Sequence, residues 1–248
     1  MRNTSRKHRQ KQHRIYVAGM IIAAAILSIV VSIMLLSHFG VFSKNEELDQ
    51  DLFFDHIEIQ QDKSEKLGYG LELQGLGRYA GLFLEDGSND SVSDVMMIKI
   101  KNTGDKDLQL ARLSLTYTNF TAEFELTNLP VGKTAVVLEK NRHAYSQEQH
   151  RDVVLSDVVH FDDQMGVSEE IYEISGLPGA LNLKNRSDID VSGDIYVYYK
   201  YIADDMLYGG ITFRAKLPGG LRAGETKQLA SSHFDPEQCI VLHISCEA

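Results

Sequence analysis

The chain has 248 residues, of which 43% are hydrophobic and 24% are charged, so its composition is globular and excludes a largely disordered protein. Residues 1–14 carry six basic residues and no acidic one, which leaves 19 basic and 35 acidic residues in the other 234, a balance of −16. Nucleic-acid affinity comes largely from Lys and Arg side chains that neutralise phosphates. The acidic body therefore predicts no nucleic-acid partner.

The first element in chain order is an uncharged apolar segment, residues 15–37. A helix of this length reaches about 34 Å, slightly more than the roughly 30 Å hydrocarbon layer of a membrane. We therefore expect a transmembrane helix that contacts membrane lipid. A cleavable signal peptide is the alternative, with a small-residue cleavage site that ends at Ser43.

Charge on the two sides of the apolar segment predicts its orientation. Basic residues 1–14 precede it, and an acidic stalk, residues 38–51, follows it with Glu46, Glu47, Asp49 and Asp51. By the positive-inside rule, the N-terminal tail lies in the cytoplasm and the rest of the chain lies outside the cell membrane.

Small residues within the apolar segment recur at a spacing of four, which brings side chains onto one face of a helix. Such spacing lets two transmembrane helices approach closely. A homodimer or a protein partner in the membrane is one hypothesis and a solitary anchor is the other. The residues concerned are Gly19, Ala23, Ser28 and Ser32.

From residue 52 onward, apolar and polar residues alternate in many short runs, such as MIKIKN, RLSLTYT and GDIYVYYKYI. Alternation with a period of two indicates β-strands, and the runs are separated by Gly, Asn, Asp and Pro residues that favour turns. No long run has a helical period. We therefore predict an all-β body of the β-sandwich type.

One sequence pattern occurs twice, as IKIKNTGDKDLQL at residues 98–110 and LNLKNRSDIDVSG at residues 181–193. Each copy predicts a strand, a polar turn and a further strand, and each is followed by a similar turn, LPVGKT or LRAGET. We predict two related β-sandwich units at residues 52–165 and 166–248. A single larger sandwich with two similar hairpins is the alternative.

The second copy, LNLKNRSDIDVSGDIYVYYKYIADDMLYGGITF followed by LRAGET, resembles immunoglobulin-like domains of the FxLYD kind. It is also similar to units of envelope proteins from Gram-positive bacteria of the clostridial type. The resemblance implies an immunoglobulin-like sandwich in a membrane-anchored, extracytoplasmic protein. It offers no catalytic residues.

Two candidate binding sites follow from the body. Tyr196, Tyr198, Tyr199 and Tyr201 could form a platform for a carbohydrate or peptide, although tyrosines in strands more often pack against neighbours. The acidic loop with Asp86, Ser88, Asp90 and Asp94 could supply oxygen ligands to calcium, and a solvated hairpin tip is the alternative.

Catalytic and redox signals are weak. The sequence contains no His-Glu-x-x-His pair and no Gly-x-Ser-x-Gly elbow, so we predict a protein that is not an enzyme and has no cofactor. Cys239 and Cys246 are predicted to lie in one strand, about 23 Å apart and on opposite faces, which would prevent them from pairing. A strand that ends or folds back near Ser245 is the alternative and would allow a local disulfide.

The sequence thus predicts a single-pass, membrane-anchored binding or scaffold protein of a cell-envelope assembly, with its body outside the membrane. The alternative is a ligand or ion sensor that signals through a membrane partner.

Overall fold

The computed structural model describes residues 56–61, 64–88, 90–150 and 152–247, all of which belong to one compact unit, Asp51–Ala248. These residues form strands and turns, so the prediction of an all-β body is confirmed. Within them there is no helix with the length and apolarity needed to cross a membrane. The predicted transmembrane segment, residues 15–37, lies outside the described residues.

Fourteen strands make up the described part of the chain. They are β1 (His56–Gln61), β2 (Glu65–Gly68), β3 (Leu71–Leu82), β4 (Ser91–Asn102), β5 (Leu108–Thr116), β6 (Thr121–Leu129), β7 (Thr134–Leu138), β8 (Asp152–His160), β9 (Tyr172–Leu177), β10 (Ala180–Asn185), β11 (Asp194–Ala203), β12 (Met206–Leu217), β13 (Thr226–Ala230) and β14 (Cys239–Glu247).

One order of strand pairing occurs twice. In the first half of the body, β3-β4-β7 and β6-β5-β8 are hydrogen-bonded in that order, and in the second half β9-β10-β13 and β12-β11-β14 follow the same order. The repeated sequence occupies the equivalent strands β4 and β10 with the turns that follow them. The predicted boundary at residues 165/166 falls in the segment between β8 and β9.

The two halves share one sheet. Strand β7 pairs in parallel with β12 through Ala135–Leu207 and Val136–Tyr208, which joins β3-β4-β7 to β12-β11-β14. With β1 and β2 at the edge beside β3, these strands form an eight-stranded sheet. The sequence repeat did not predict this parallel pairing of β7 with β12, because it depends on residues far apart in the chain.

The two remaining sheets cover opposite faces of the eight-stranded sheet. Side chains alternate along β7, so Ala135 and Val137 pack into the core under β5 and β6, while Val136 and Leu138 pack into the core that contains residues of β9, β10 and β13. The body therefore has two cores, one on each side of the shared sheet, and both contain residues of both halves. The first core lies under β5 and β6, and the second core lies under β9, β10 and β13.

A buried asparagine explains the repeated turn. Asn102 and Asn185 end β4 and β10, and both are 0% exposed. In each, Nδ2 donates hydrogen bonds to the carbonyl four residues later and to the carbonyl of a leucine before the next turn, Leu129 or Leu221. The Oδ1 atom accepts a hydrogen bond from the N–H two residues later. The repeated Asn thus ties two turns together in each half.

Strand β14 corrects one prediction. It contains both cysteines, and neither forms a disulfide. A register shift inserts one extra residue into β14 between them, so Cys239 lies opposite Tyr201 and Cys246 opposite Ile195, both of which point into the second core. The Cys246 thiol contacts the Tyr172 hydroxyl, also in that core, at 3.0 Å. The prediction of opposite faces is wrong, because a bulge interrupts the alternation of side chains.

Candidate functional site

The acidic loop that was a calcium candidate is held by arginines. The Arg142 guanidinium lies 2.8 Å from Asp86 and 2.9 Å from Asp90, and Arg78 lies 3.2 Å from Asp94. The Ser88 N–H donates to Asp86. In the part of the chain that the structure describes, no group of three or more His, Cys, Asp or Glu side chains is placed to hold a metal ion.

Three of the four candidate tyrosines do not form an open platform. Tyr199 and Tyr201 are 1% and 4% exposed and pack in the second core, where both contact the Phe213 ring. Tyr196 points to the other face of β11 but is covered by Arg214 and only 6% exposed. Their aromatic rings therefore contribute mainly to packing, which corrects the hypothesis of a four-tyrosine platform.

Tyr198 is the exception, because it remains partly exposed on the face of β11 that points away from the second core. Its ring stacks on His243 with the ring centres 5.8 Å apart, and the centre of the Phe161 ring lies 5.7 Å from that of the same imidazole. Burial lowers the pKa of His243, which favours the neutral imidazole. Tyr198 thus presents an aromatic surface backed by a second ring.

Cations flank this aromatic surface. In the register of β11 and β12, Tyr198 lies opposite Arg214 and Tyr196 lies opposite Lys216. The Arg214 guanidinium is 4.8 Å from the centre of the Tyr196 ring, a cation–π distance. Lys216 forms an ion pair with Asp194 at 2.6 Å, and this hydrogen bond raises the pKa of Lys216. We call Tyr196, Tyr198, Arg214, Lys216 and His243 the outer face.

A cleft with a volume of about 510 Å³ adjoins the outer face. This volume lies within the range typical of small-molecule sites. Strands of both halves line the cleft, which therefore exists only because the halves are held together. The first half supplies Gln109, Leu110, Thr127, Asn128 and Val159, and the second half supplies Tyr198 and Thr212.

A pair of threonines fixes the floor of the cleft. The Thr127 and Thr212 hydroxyl oxygens are 2.9 Å apart. Thr127 also donates to the Gly210 carbonyl at 3.0 Å, and Thr212 donates to the Thr127 carbonyl at 3.2 Å. Because their protons are already committed, these hydroxyls hold β6 against β12 and offer a ligand little donor capacity.

Asn128 is the uncommitted polar group of the cleft. The residue as a whole is 7% exposed, but its side-chain amide reaches solvent and has no hydrogen-bond partner among the described residues. Its backbone has a φ of +49°, a left-handed conformation that Asn tolerates better than most residues. Gln109 occupies the facing position of β5, between the pairs Leu108–Leu129 and Leu110–Thr127. Two amide residues thus line the cleft at neighbouring positions of β5 and β6.

Two oppositely charged groups support the junction beside the cleft. Lys200, 0% exposed, donates to the carbonyls of three consecutive β12 residues, Gly209, Gly210 and Ile211, at 2.7 to 2.8 Å. Glu85 accepts hydrogen bonds from the N–H groups of Gly210 and Ile211 in β12 and of Leu138 in β7. The Glu85 carboxyl thus bridges β7 and β12 beyond the last backbone pair of their ladder.

Burial perturbs both groups in the same way. It raises the pKa of Glu85 to about 7 and lowers the pKa of Lys200 to about 7, because each charged form loses its hydration. The opposite charges and the backbone hydrogen bonds to Glu85 act against this effect. Glu85 and Lys200 therefore depend on their hydrogen bonds at the junction of β7 and β12 to offset the loss of hydration.

No protein-family model matches the sequence, and no curated protein or solved structure shows significant similarity to it.

Sequence reasoning found only part of this site. It named Tyr196 and Tyr198 but not Asn128, Gln109, Glu85 or Lys200. Lys200 carried a usable signal, since a lysine between aromatic residues of a strand is a charge within an apolar pattern. Asn128 carried none, because Asn before Leu-Pro is typical of a turn. The predicted helix-packing residues Gly19, Ala23, Ser28 and Ser32 lie outside the described residues.

Proposed function

We propose that the chain is a single-pass, membrane-anchored protein whose body binds a ligand or partner outside the cell membrane and does not act as an enzyme. Residues 15–37 form the anchor, residues 1–14 the cytoplasmic tail and residues 38–51 the stalk. The body consists of two immunoglobulin-like sandwich units of the FxLYD kind, and the protein belongs to a cell-envelope assembly.

The observation that carries the binding function is the composite cleft. Its lining comes from both halves of the body, and Asn128 has a solvent-accessible amide there without a hydrogen-bond partner among the described residues. This amide offers two N–H donors and one acceptor oxygen, so it can hydrogen-bond a ligand in the cleft. Ligand sites occur preferentially where two domains meet.

The junction supports a scaffold role for the same body. A continuous sheet, the Thr127–Thr212 contact and the hydrogen bonds of Glu85 and Lys200 all hold the halves in one arrangement. A binding site that is fixed before its ligand arrives costs less ordering entropy on binding. The body is therefore suited to presenting one rigid surface at a distance from the membrane.

Co-purification of the intact protein in mild detergent tests the binding function. We expect the wild type to retain a stoichiometric partner or ligand that both Tyr198→Ala and Asn128→Gly release. Gly tolerates positive φ, so the second variant removes the amide without straining the backbone. Arg186→Gln, an exposed arginine on the β10–β11 turn, is the matched control and should retain the partner. Equal retention by all variants would contradict the cleft as the site.

Protease treatment of whole cells tests the anchoring and orientation. A protease added from outside should remove the acidic body and leave the basic tail with the membrane fraction. Recovery of an intact body after this treatment, with cleavage restored only by lysis, would place the body on the cytoplasmic side and contradict the proposal.

A further inference from the structure

We infer that the cleft binds a saccharide that carries a carboxylate, with one sugar ring against Tyr198 and the carboxylate directed to Arg214. This inference rests on the proposed binding function of the cleft and names the chemistry of its ligand. Three features of the cleft support it: an aromatic wall, a pair of uncommitted amides and an exposed cation beyond them.

The aromatic wall fits a sugar ring. Tyr198 is held by its stacking on His243, so its ring has a fixed orientation at the cleft. Leu110 and Val159, the latter 44% exposed, add aliphatic surface to the same lining. A pyranose presents C–H groups on one face and hydroxyls around its rim, which matches a ring with an apolar surface beside polar groups.

The two amides fit the rim of the ring. Gln109 and Asn128 each offer one acceptor oxygen and two N–H donors, and neither side chain is hydrogen-bonded to a described residue. Vicinal sugar hydroxyls both donate and accept, so one amide satisfies two neighbouring hydroxyls. Because the Thr127 and Thr212 protons are already committed, these amides decide which hydroxyls are recognised.

Charge directs the carboxylate. Arg214 is exposed, lies opposite Tyr198 in the register and makes no ion pair with a described residue. Lys216 is already paired with Asp194, so Arg214 is the outer-face cation that has no ion-pair partner among the described residues. On a body with a strong negative balance, a lone arginine next to an aromatic cleft favours an anionic group at that point.

Isothermal titration calorimetry on the full chain in detergent tests the inference. The probe is a hexasaccharide of alternating glucuronate and N-acetylglucosamine, and its carboxyl-reduced form is the matched neutral probe. We expect the acidic probe to bind, and the neutral probe to bind about 10-fold more weakly. Tyr198→Ala and Asn128→Gly should each weaken both probes at least 10-fold.

Arg214→Gln separates the charge from the ring. It should weaken the acidic probe about 10-fold and leave the neutral probe unchanged, so the two probes then bind alike. Arg186→Gln and Tyr69→Ala, an exposed arginine and a 68% exposed tyrosine elsewhere, should change neither affinity. Nuclear magnetic resonance shifts confined to the cleft residues would locate the probe.

Two results overturn the inference. One is the absence of binding of either probe at millimolar concentration, and the other is binding that Tyr198→Ala and Asn128→Gly do not alter. If neither probe binds while co-purification still requires Tyr198 and Asn128, the saccharide chemistry is wrong and the proposed function stands. If both experiments are insensitive to these variants, the proposed function fails as well.

Discussion

At the scale of single residues, Asn102 and Asn185 show why a turn can be repeated in a sequence. An asparagine amide offers donors and an acceptor in one rigid plane, and each of these buried side chains satisfies backbone groups of two turns. An aspartate lacks the donors, and an alanine lacks both. The residue type is therefore set by hydrogen bonding, and its recurrence 83 positions later marks the same role in the second half.

Asn102→Ala and Asn185→Ala should each lower the free energy of unfolding by about 2–4 kcal/mol, because buried carbonyls lose their donors. Chemical denaturation measures this. Asn182→Ala, a partly exposed asparagine in the middle of β10, is the matched control and should change stability by less than about 1 kcal/mol. Similar losses for control and test variants would contradict the role of the buried amides.

Glu85 gives a prediction about pH. Its pKa is raised from 4.5 to about 7 in the folded protein, so between these values the native state holds a proton that the unfolded state releases. The stabilisation is complete below pH 4.5 and is lost as pH rises through 7. The stability advantage of the wild type over Glu85→Gln should therefore shrink by up to about 3 kcal/mol over this window.

Denaturation curves at several pH values between 4.5 and 7 measure this difference. Glu173→Gln, which removes an exposed carboxylate from an ion pair with Lys184, controls for the loss of one negative charge. A wild-type advantage that grows over the same window would contradict the raised pKa.

At the scale of elements, β12 is shaped by two glycines where it meets the first half. Gly209 has a φ of +83°, and a Cβ at Gly210 would overlap the Glu125 carbonyl of β6 and approach Glu85 Oε2 at 2.8 Å. The carbonyls of both glycines accept hydrogen bonds from Lys200. Close backbone approach and an accessible row of carbonyls thus both require glycine here.

Gly210→Ala should destabilise the protein by about 3 kcal/mol or more and weaken ligand retention, since it pushes β6 from β12 at the floor of the cleft. Gly166→Ala is the matched control, because nothing lies within 4 Å of its added Cβ and its φ is not left-handed. Thermal unfolding and co-purification measure both effects. A Gly210→Ala protein with wild-type stability would show that the close contact relaxes freely.

At the scale of the whole molecule, the shared sheet and the Glu85–Lys200 junction make the two halves interdependent. Removing Lys200 leaves three buried carbonyls without their donor, and removing Glu85 as well does not rescue them, because the partners are backbone groups. This differs from an ordinary buried ion pair, whose joint replacement by apolar residues is often neutral.

The two halves of the wild-type body should therefore unfold together, and Lys200→Met should make them unfold at different temperatures. Hydrogen-exchange pulse labelling during heating, read by mass spectrometry, follows peptides of each half separately. Lys184→Met removes an exposed ion pair of β10 and should leave a single transition. Two separate transitions in the wild type would contradict the coupling.

Local sequence patterns predicted the elements well. Alternation identified the strands, and the polar turns at residues 102–107 and 185–190 fall between strands as expected. Tyr199 and Tyr201, two positions apart in β11, both lie in the second core, as a period of two requires. These features depend on neighbouring residues, whose periodicity the sequence carries directly.

What the sequence alone determined is the all-β body, its repeated turn and its charge asymmetry, because each follows from residue types at short spacing. Only the tertiary structure decided that β7 pairs with β12, that a bulge turns both cysteines to one face, and that Asn128 meets Tyr198 at a cleft. Those features depend on contacts between residues about 70 positions apart or on a single inserted residue. Neither a long-range contact nor a single inserted residue produces a periodic sequence pattern. These features therefore depend on packing and hydrogen bonding between distant strands.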